Sequence, residues 1–302
     1  IVFLFLMFYA KKIFLRNGSS SIWANWTSAL LGLMPSIAIY AISYNTICFV
    51  GISLFLLILS KDWNNRDLLA ISFITLITLI ANPTIGLCIL LISLLRFIKE
   101  NNKSFLSKYL LIFSFLLFIF LLYLNQISNY ETIKMSLDFS KGFGVGENWR
   151  FQYFFWPGIL IYNFFTYRVL ITKRFNNLNF YSTFKAISYL AIIFSFIILI
   201  PEFIYNFFPE IRQIYQPLQK IIFLYLLFLM AFLSQLTLKL SNKKKLSTKN
   251  KNWIIFSITI FILGTSLTST NGFYMALHIS LLSIPICIGL SGKDFYYGEM
   301  VN

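Results

Sequence analysis

The chain alternates long apolar stretches with short polar segments of unequal charge, and this alternation constrains its fold more than any other feature. The most basic segment is residues 239–251 (KLSNKKKLSTKNK), which hold six lysines and no acidic residue. Loops rich in lysine and arginine stay in the cytoplasm in multi-pass membrane proteins. The alternation therefore predicts a polytopic membrane protein, with cytoplasmic basic loops at about 11–21, 96–108, 173–185 and 239–252.

Two segments between the basic loops carry balanced charge. Residues 126–153 hold three acidic and three basic side chains, and residues 201–220 hold two of each. Because only an excess of lysine and arginine retains a loop in the cytoplasm, we predict that the loops at about 126–153 and 207–220 face outward. The same alternation predicts a cytoplasmic C-terminus.

Composition supports lipid as the solvent for most side chains. Of the 302 residues, 58% are hydrophobic and 12% are charged, whereas soluble domains average about 25% charged residues. A net charge of +15 suggests nucleic acid binding in a soluble chain. Here the bases are confined to alternate loops, so we predict membrane lipids as partners and no nucleic acid.

Two apolar regions contain helix-breaking residues. Residues 22–60 predict a short helix to about Met34, a break at Pro35-Ser36 and a longer helix that ends before Lys61. Residues 68–97 are divided at Asn82-Pro83-Thr84 into halves of about 14 residues, or roughly 21 Å of helix. Each half is short for a full crossing. Residues 68–97 form either one kinked span or two short helices. We favour a short helical hairpin in each of the two broken regions.

Clearer spans are predicted at 109–124, 154–172, 186–208, 221–238, 253–270 and 274–290. Together with the broken regions, they predict an all-α, polytopic integral membrane helical bundle of about 9–11 crossing or half-crossing helices. Residues 1–302 then form a single transmembrane domain. The opening stretch IVFLFLMFYA spans only about half of the hydrocarbon layer. We therefore expect a fragment that lacks its N-terminal part.

The longer outer loop, at about 126–153, offers the first candidate substrate-binding residues. Asp138, Glu147 and Arg150 are suited to contact a sugar or pyrophosphate headgroup. The alternative is a hydrated loop, because exposed charges usually contribute little. The glycines at 142, 144 and 146 imitate a phosphate-binding loop, but no strand precedes them, so a flexible turn is the better interpretation.

The second outer loop offers Arg212, Gln216 and Lys220. Their four-residue spacing places them on one face of a helix. Such a face suits a lipid phosphate, because arginine supplies a planar, bidentate fork. Ordinary anchoring among lipid headgroups explains the same pattern equally well.

His278, the only histidine, lies within the last predicted span and is the remaining substrate-binding candidate. Ionisable groups inside membranes are often functional, although a hydrogen-bonded packing role is the alternative. We predict no metal site, since zinc needs three or four ligands and the sequence holds no such cluster, and we identify no cofactor motif. Asn82 and Thr84 either offer polar groups to a ligand or cap the broken helix.

Residues at about 30–97 resemble part of the GT-C superfamily of membrane glycosyltransferases and its uncharacterised bacterial relatives. In that pattern a long helix ends in a short charged turn, here Lys61 to Asp67. Two short helices follow, separated by a proline-containing break, here Asn82-Pro83-Thr84. The resemblance implies transfer of a sugar from a polyprenyl-phosphate carrier to an acceptor at the outer face. The family's catalytic acid lies upstream of this chain, so the catalytic residue stays unknown.

Two other functions remain open. A transporter or flippase of lipid-linked glycans shares broken helices and basic cytoplasmic loops, but it should also show paired repeats and several charges within the spans. A non-catalytic membrane protein, whose outer loops bind partners, is the third possibility. In each case we expect the inner (plasma) membrane of a bacterium.

Overall fold

A computed structural model describes residues 2–38, 44–127, 231–239, 241, 246–268 and 272–292. Within these ranges the chain forms nine helices and no strand, which confirms the predicted all-α class for the described part. The helices are α1 (Val2–Arg16), α2 (Ser21–Ala38), α3 (Tyr44–Leu59), α4 (Asn65–Ala81), α5 (Pro83–Lys99), α6 (Lys103–Ile127), α7 (231–239), α8 (Thr248–Thr268) and α9 (Gly272–Ser291).

Several connections between helices meet at one end of the bundle, which we name the basic end. The guanidinium of Arg96, in the last turn of α5, donates to the backbone oxygen of Lys61 at 3.2 Å and to Oδ1 of Asn250 at 3.0 Å. The turn after α3 and the start of α8 therefore lie beside the end of α5. The turn between α1 and α2 joins the end of α9, because Ser19 donates to the carbonyl of Gly289 at 2.7 Å.

The end of α7 belongs to the same end of the bundle. Ser241 donates to the carbonyl of Ser291 at 2.8 Å, and the ammonium of Lys251 donates to the carbonyl of Ser241. Successive helices thus run alternately toward and away from the basic end. Parts of three predicted basic loops share this end, as expected if they lie on one side of a membrane. The fourth, at about 173–185, lies outside the described residues.

The helices extend further into the basic segments than predicted. Helix α1 continues to Arg16, so residues 11–16 are helical rather than part of a loop. Similarly, α6 begins at Lys103 and α8 at Thr248. Lysine and arginine are good helix formers, and a cation such as Arg16 interacts favourably with the C-terminal end of a helix. The loops between these helices are therefore shorter than the basic segments predicted from the distribution of lysine and arginine.

The predicted break at Pro35-Ser36 is wrong. Helix α2 continues through both residues to Ala38, and α3 begins at Tyr44. The second helix is also not the longer one, because α2 has 18 residues and α3 has 16. Proline removes one backbone donor and crowds the preceding turn. The loss of helix stability is smaller here, because Pro35 lies in the last turn of α2 and only a few helical residues follow it.

The second break is confirmed, since α4 and α5 are separate short helices. Asn82 ends α4 and caps α5, and its Oδ1 accepts from the backbone N–H of Thr84 at 3.1 Å and of Ile85 at 3.3 Å. Pro83 occupies the first turn of α5, where its missing N–H needs no partner. Asn82 therefore takes the capping role that was one of its two predicted alternatives.

A capping box fixes the start of α4. The side chain of Asn64 accepts from the backbone N–H of Asp67, and the Asp67 carboxylate accepts from the backbone N–H of Asn64 at 3.0 Å. This reciprocal pair satisfies two donors that a helix start otherwise leaves open. Lys61 pairs with Asp67 at 2.6 Å, which ties the charged turn to the same cap.

Helices α4, α5 and α6 pack together around a buried polar contact. The hydroxyl groups of Thr75 in α4 and Tyr109 in α6 are 3.1 Å apart. Helices α4 and α5 approach closely at Gly86, because a Cβ added there would lie 2.3 Å from the Cα of Leu79. The absence of a side chain at Gly86 is what allows the α4–α5 hairpin to close.

Helix α6 exposes much of its apolar surface. Leu111 is 71% exposed and Phe115 is 60% exposed, and only 11% of the most apolar part of the helix is buried. Among the described residues, Lys103–Gln126 is the one segment long and apolar enough to cross a membrane, while Thr46–Leu59 and His278–Ser291 are shorter apolar helices. The predicted spans at 154–172 and 186–208, and both outer loops beyond residue 127, lie outside the described residues.

We expect Gly86→Ala to destabilise the bundle by about 1–3 kcal/mol, because the new methyl group overlaps the backbone of Leu79 and forces α5 away from α4. The measurement is the thermal unfolding midpoint of the purified chain in detergent. Leu87→Ala is the matched control, since Leu87 is the next residue and is 56% exposed. An equal midpoint for Gly86→Ala and wild type would contradict the close approach of these helices.

Candidate functional site

The basic end is organised around Arg96, whose side chain is only 1% exposed. Its Nε donates to Glu100 Oε1 at 2.9 Å. One terminal nitrogen donates to the carbonyl of Leu59 at 3.4 Å, and the other donates to the Lys61 carbonyl and to Asn250. A single guanidinium therefore connects α5 with the end of α3, the charged turn and the start of α8.

Trp63 completes the environment of this arginine. The Arg96 guanidinium carbon lies 4.2 Å from the centre of the Trp63 ring system, within the range of a cation–π interaction. The indole Nε1 donates to the carbonyl of Ile58 at 3.2 Å, which fixes the ring, and Phe97 packs edge-on against it. We call Arg96, Glu100, Trp63 and Asn250 the arginine cluster.

Asn250 extends the arginine cluster to the turn after α3. While Oδ1 accepts from Arg96, the amide nitrogen lies 3.5 Å from the carbonyl of Ser60 and 3.5 Å from Asp62 Oδ1. Asn250 thus bridges the end of α5 and the charged turn. Glu100 is shared as well, because its Oε1 also accepts from Lys249 at 3.0 Å.

The arginine cluster is a structural clamp rather than a ligand site. Arg96 directs its donors to three backbone or amide oxygens and one carboxylate. Protein oxygens replace the water that a buried cation loses, and no donor fork remains to bind an incoming anion. Its chemistry is to hold three helix ends in one arrangement.

An open groove of about 870 Å³ lies next to this clamp, between the end of α5 and the start of α8. We call it the basic groove. Its apolar lining is Leu95, Ile98 and Phe256, and its polar lining is Lys99, Glu100, Lys249, Asn252 and Trp253. The combination of an apolar floor with two ammonium groups suits an amphiphilic anion.

Two further lysines raise the positive charge of the basic end. Lys239 donates to Oδ1 of Asn252 at 2.6 Å, and Lys251 is 5% exposed. Both belong to the predicted basic loop at 239–252. Burial lowers the pKa of Lys251 below its ordinary value, and the nearby charge of Lys239 lowers it further. Burial also lowers the pKa of Lys239. A negative charge nearby would favour the protonated form of both lysines again, so the basic end favours a negatively charged partner.

Six of the seven predicted substrate-binding residues lie outside the described residues: Asp138, Glu147, Arg150, Arg212, Gln216 and Lys220. The seventh, His278, is half-buried in α9 and stacks on Phe49 with ring centres 5.1 Å apart. Phe49 is near the start of α3, whereas the arginine cluster lies beyond its end. About ten residues of helix, or roughly 15 Å, separate the two, so His278 does not join the cluster.

Sequence reasoning missed the arginine cluster. Arg96 was predicted to begin the cytoplasmic basic loop at 96–108, but it lies in the last turn of α5 and its side chain is buried. The available signal was that Arg96 follows an uncharged, largely apolar run and precedes Glu100 at a spacing that favours an ion pair on one helix face. The partnership with Asn250, more than 150 residues away, has no local signal.

The described part of the chain holds no group of three His, Cys, Asp or Glu side chains placed to bind a metal ion. Its cysteines are Cys48, Cys88 and Cys287, and all three are free thiols. Cys48 and Cys287 are buried among apolar side chains, where a thiol acts as a small hydrophobic group.

No protein-family model, curated protein or solved structure matches the chain. The similarity to GT-C enzymes therefore stays a prediction from the lengths and order of helices. The part of that order that the structure describes is α3, the charged turn from Lys61 to Asp67, α4, the break at Asn82 and α5.

We expect Arg96→Ala to lower the free energy of unfolding by about 3–5 kcal/mol, because it leaves buried oxygens of α3 and α8 without a donor. Arg96→Lys should be intermediate, since lysine keeps the charge but lacks the planar fork. Thermal unfolding in detergent measures both. Arg66→Ala is the control, because Arg66 is an exposed arginine on α4. Equal midpoints for the Arg96→Ala and Arg66→Ala variants would show that the cluster is not a clamp.

Proposed function

We propose that the chain is a polytopic integral membrane protein of about 9–11 crossing or half-crossing helices, which acts on polyprenyl-phosphate-linked sugars at the outer face of a membrane. Its proposed reaction is the sugar transfer of GT-C glycosyltransferases. The observation that supports the proposal is the order α3, charged turn, α4, capped break and α5, which resembles the order of elements in that superfamily. The long first helix of that pattern is not reproduced, because α3 has 16 residues and α4 and α5 have 17 each. The site of the reaction is proposed to be the outer loops.

The exposed apolar surface of α6 supports a membrane location. Residues such as Leu111, Phe115 and Phe118 are each more than half exposed. Leaving this surface in water would cost about 25 cal/mol per Å², whereas hydrocarbon removes that cost. Helix α6 has 25 residues, or about 37 Å of rise, which exceeds a hydrocarbon layer of about 30 Å.

The position of the basic residues supports a defined orientation. Parts of the basic loops at 11–21, 96–108 and 239–252 share one end of the bundle, and α6 runs from that end to Ile127 at the other. Since positively charged loops stay inside, the basic end is proposed to be cytoplasmic. The loop at 126–153 then begins at the outer end, where a lipid-linked sugar would be used.

The proposed chemistry divides between two kinds of residue. A carboxylate is needed to deprotonate or orient the acceptor, and no residue of this chain is assigned to that role. Cationic groups are needed to stabilise the departing lipid phosphate. Arg150, Arg212 and Lys220 are proposed for this second task, with Asp138, Glu147, Gln216 and His278 as further substrate contacts.

The orientation is tested by labelling single cysteines in a variant that lacks Cys48, Cys88 and Cys287. We expect Ser136→Cys, in the loop at 126–153, to react with a membrane-impermeant maleimide in intact cells. Lys244→Cys, in the basic segment at 239–251, should react only after the membrane is opened. The opposite pattern would reverse the orientation, and labelling of both in intact cells would argue against a membrane between them.

The proposed donor is tested with Arg212→Ala in the full-length protein. Loss of a bidentate contact to phosphate should weaken binding of radiolabelled polyprenyl phosphate about tenfold. Arg174→Ala is the matched control, because it removes an equal charge from the loop at 173–185, which is predicted to be cytoplasmic. Unchanged affinity for the Arg212→Ala variant would remove this arginine from the site.

Reaction and transport are separated in proteoliposomes that contain the full-length protein. A glycosyltransferase consumes the lipid-linked sugar only when an acceptor is present, and it leaves a modified acceptor. A flippase moves the intact lipid-linked sugar between leaflets without an acceptor. Movement without transfer would overturn the enzymatic proposal and favour transport.

A further inference from the structure

The basic groove at the ends of α5 and α8 has no role in the proposed outer-face reaction. Lys99 lies at the end of α5, and its ammonium group is 5.7 Å from the centre of the Trp253 ring. Lys249 faces it from the first turn of α8, with a side chain that is 51% exposed. Two cations on neighbouring helices thus flank one opening.

The charges of this groove do not cancel. Of the residues that line the groove, Lys99 and Lys249 supply two positive charges and Glu100 supplies one negative charge, which leaves a balance of +1. The Glu100 carboxylate is already held by Arg96 at 2.9 Å and Lys249 at 3.0 Å, so its charge is satisfied within the protein. Among the described residues, no carboxylate forms a salt bridge with Lys99.

The amide of Asn252 contributes a neutral donor to the groove. Its Oδ1 accepts from Lys239, which leaves the NH₂ group to donate to an oxygen in the groove. Ammonium groups and an amide N–H together form the donor set that a phosphate oxygen prefers. Because lysine only donates, its partner in the Asn252 amide must be the oxygen, and the amide nitrogen is therefore the atom left to donate.

The apolar side of the groove favours a lipid over a free anion. Ile98 is 63% exposed and Leu95 is 37% exposed, and Phe256 lies beside them. A soluble phosphate gains nothing from these side chains, whereas an acyl chain buries them at about 25 cal/mol per Å². The volume of about 870 Å³ falls within the usual range for small-molecule sites, roughly 300–1,000 Å³.

We propose that the basic groove binds an anionic phospholipid of the cytoplasmic leaflet. Lys99 and Lys249 hold its phosphate, Asn252 donates to a phosphate oxygen, and Leu95, Ile98 and Phe256 contact an acyl chain. The inference rests on the proposed membrane location, and it does not depend on the sugar-transfer reaction. A bound lipid would join the end of α5 to the start of α8 beside the clamp formed by Arg96.

The test is binding of phosphatidylglycerol and phosphatidylcholine to the purified full-length protein, measured by native mass spectrometry at defined lipid concentrations. We expect tighter binding of phosphatidylglycerol, and we expect the double variant Lys99→Gln/Lys249→Gln to weaken it about tenfold or more. The double variant Lys12→Gln/Lys103→Gln is the matched control. It removes the same charge from lysines that are exposed, belong to basic segments and lie outside the groove lining. It should change the affinity less than about threefold.

Each result decides the proposal. Equal weakening by both double variants would show general attraction to a basic surface, and equal binding of the two lipids would show no headgroup site. Displacement of phosphatidylglycerol by inorganic phosphate would assign the groove to a free anion, and preferential binding of polyprenyl phosphate would assign it to the donor carrier. Either assignment would overturn the phospholipid site. The binding test contains neither sugar nor acceptor. Its result therefore does not depend on whether the protein catalyses sugar transfer.

Discussion

The buried guanidinium of Arg96 is the interaction on which the described bundle depends most. Desolvating a cation is costly unless hydrogen bonds and an opposite charge replace water, and here the replacements come from α3, the charged turn, α8 and Glu100. The partners in α3, the charged turn and α8 are far from Arg96 in the sequence, so the contact restrains segments that are not neighbours along the chain. The donors of one side chain fix the relative positions of three helix ends that no short loop connects.

The charge pattern and the clamp reinforce each other. Positive residues gather at one end of the described bundle, as the proposed membrane topology predicts, yet crowded cations repel one another. Glu100 relieves part of this repulsion by accepting from both Arg96 and Lys249. Carbonyl and amide oxygens relieve more of it without adding negative charge. The basic end is therefore fixed in structure while it keeps the excess positive charge that favours contact with anionic headgroups.

Features with a local cause could be predicted from the sequence, and features with a distant cause could not. Asn82-Pro83 predicts the break between α4 and α5, because asparagine caps the new helix and proline tolerates only its first turn. The same reasoning was wrong at Pro35, because a proline near the end of α2 reduces the stability of the helix only slightly. The gathering of basic segments follows from charge alternation. Asn250 is 154 residues from Arg96, however, and no periodicity or propensity connects them. The six outer-loop candidates lie outside the described residues.

The two ends of the bundle are suited to different tasks. At the basic end the polar groups of the arginine cluster already satisfy one another, so they supply rigidity and little reactivity. The proposed sugar transfer instead requires carboxylates and cations that are free to meet a substrate, and the charged candidates of the loop predicted at 126–153 follow α6 in the sequence. Helix α6 separates the ends by more than a hydrocarbon thickness. Rigid elements position loops that carry function, so a rigid basic end is compatible with the proposed binding of a lipid-linked substrate by the outer loops.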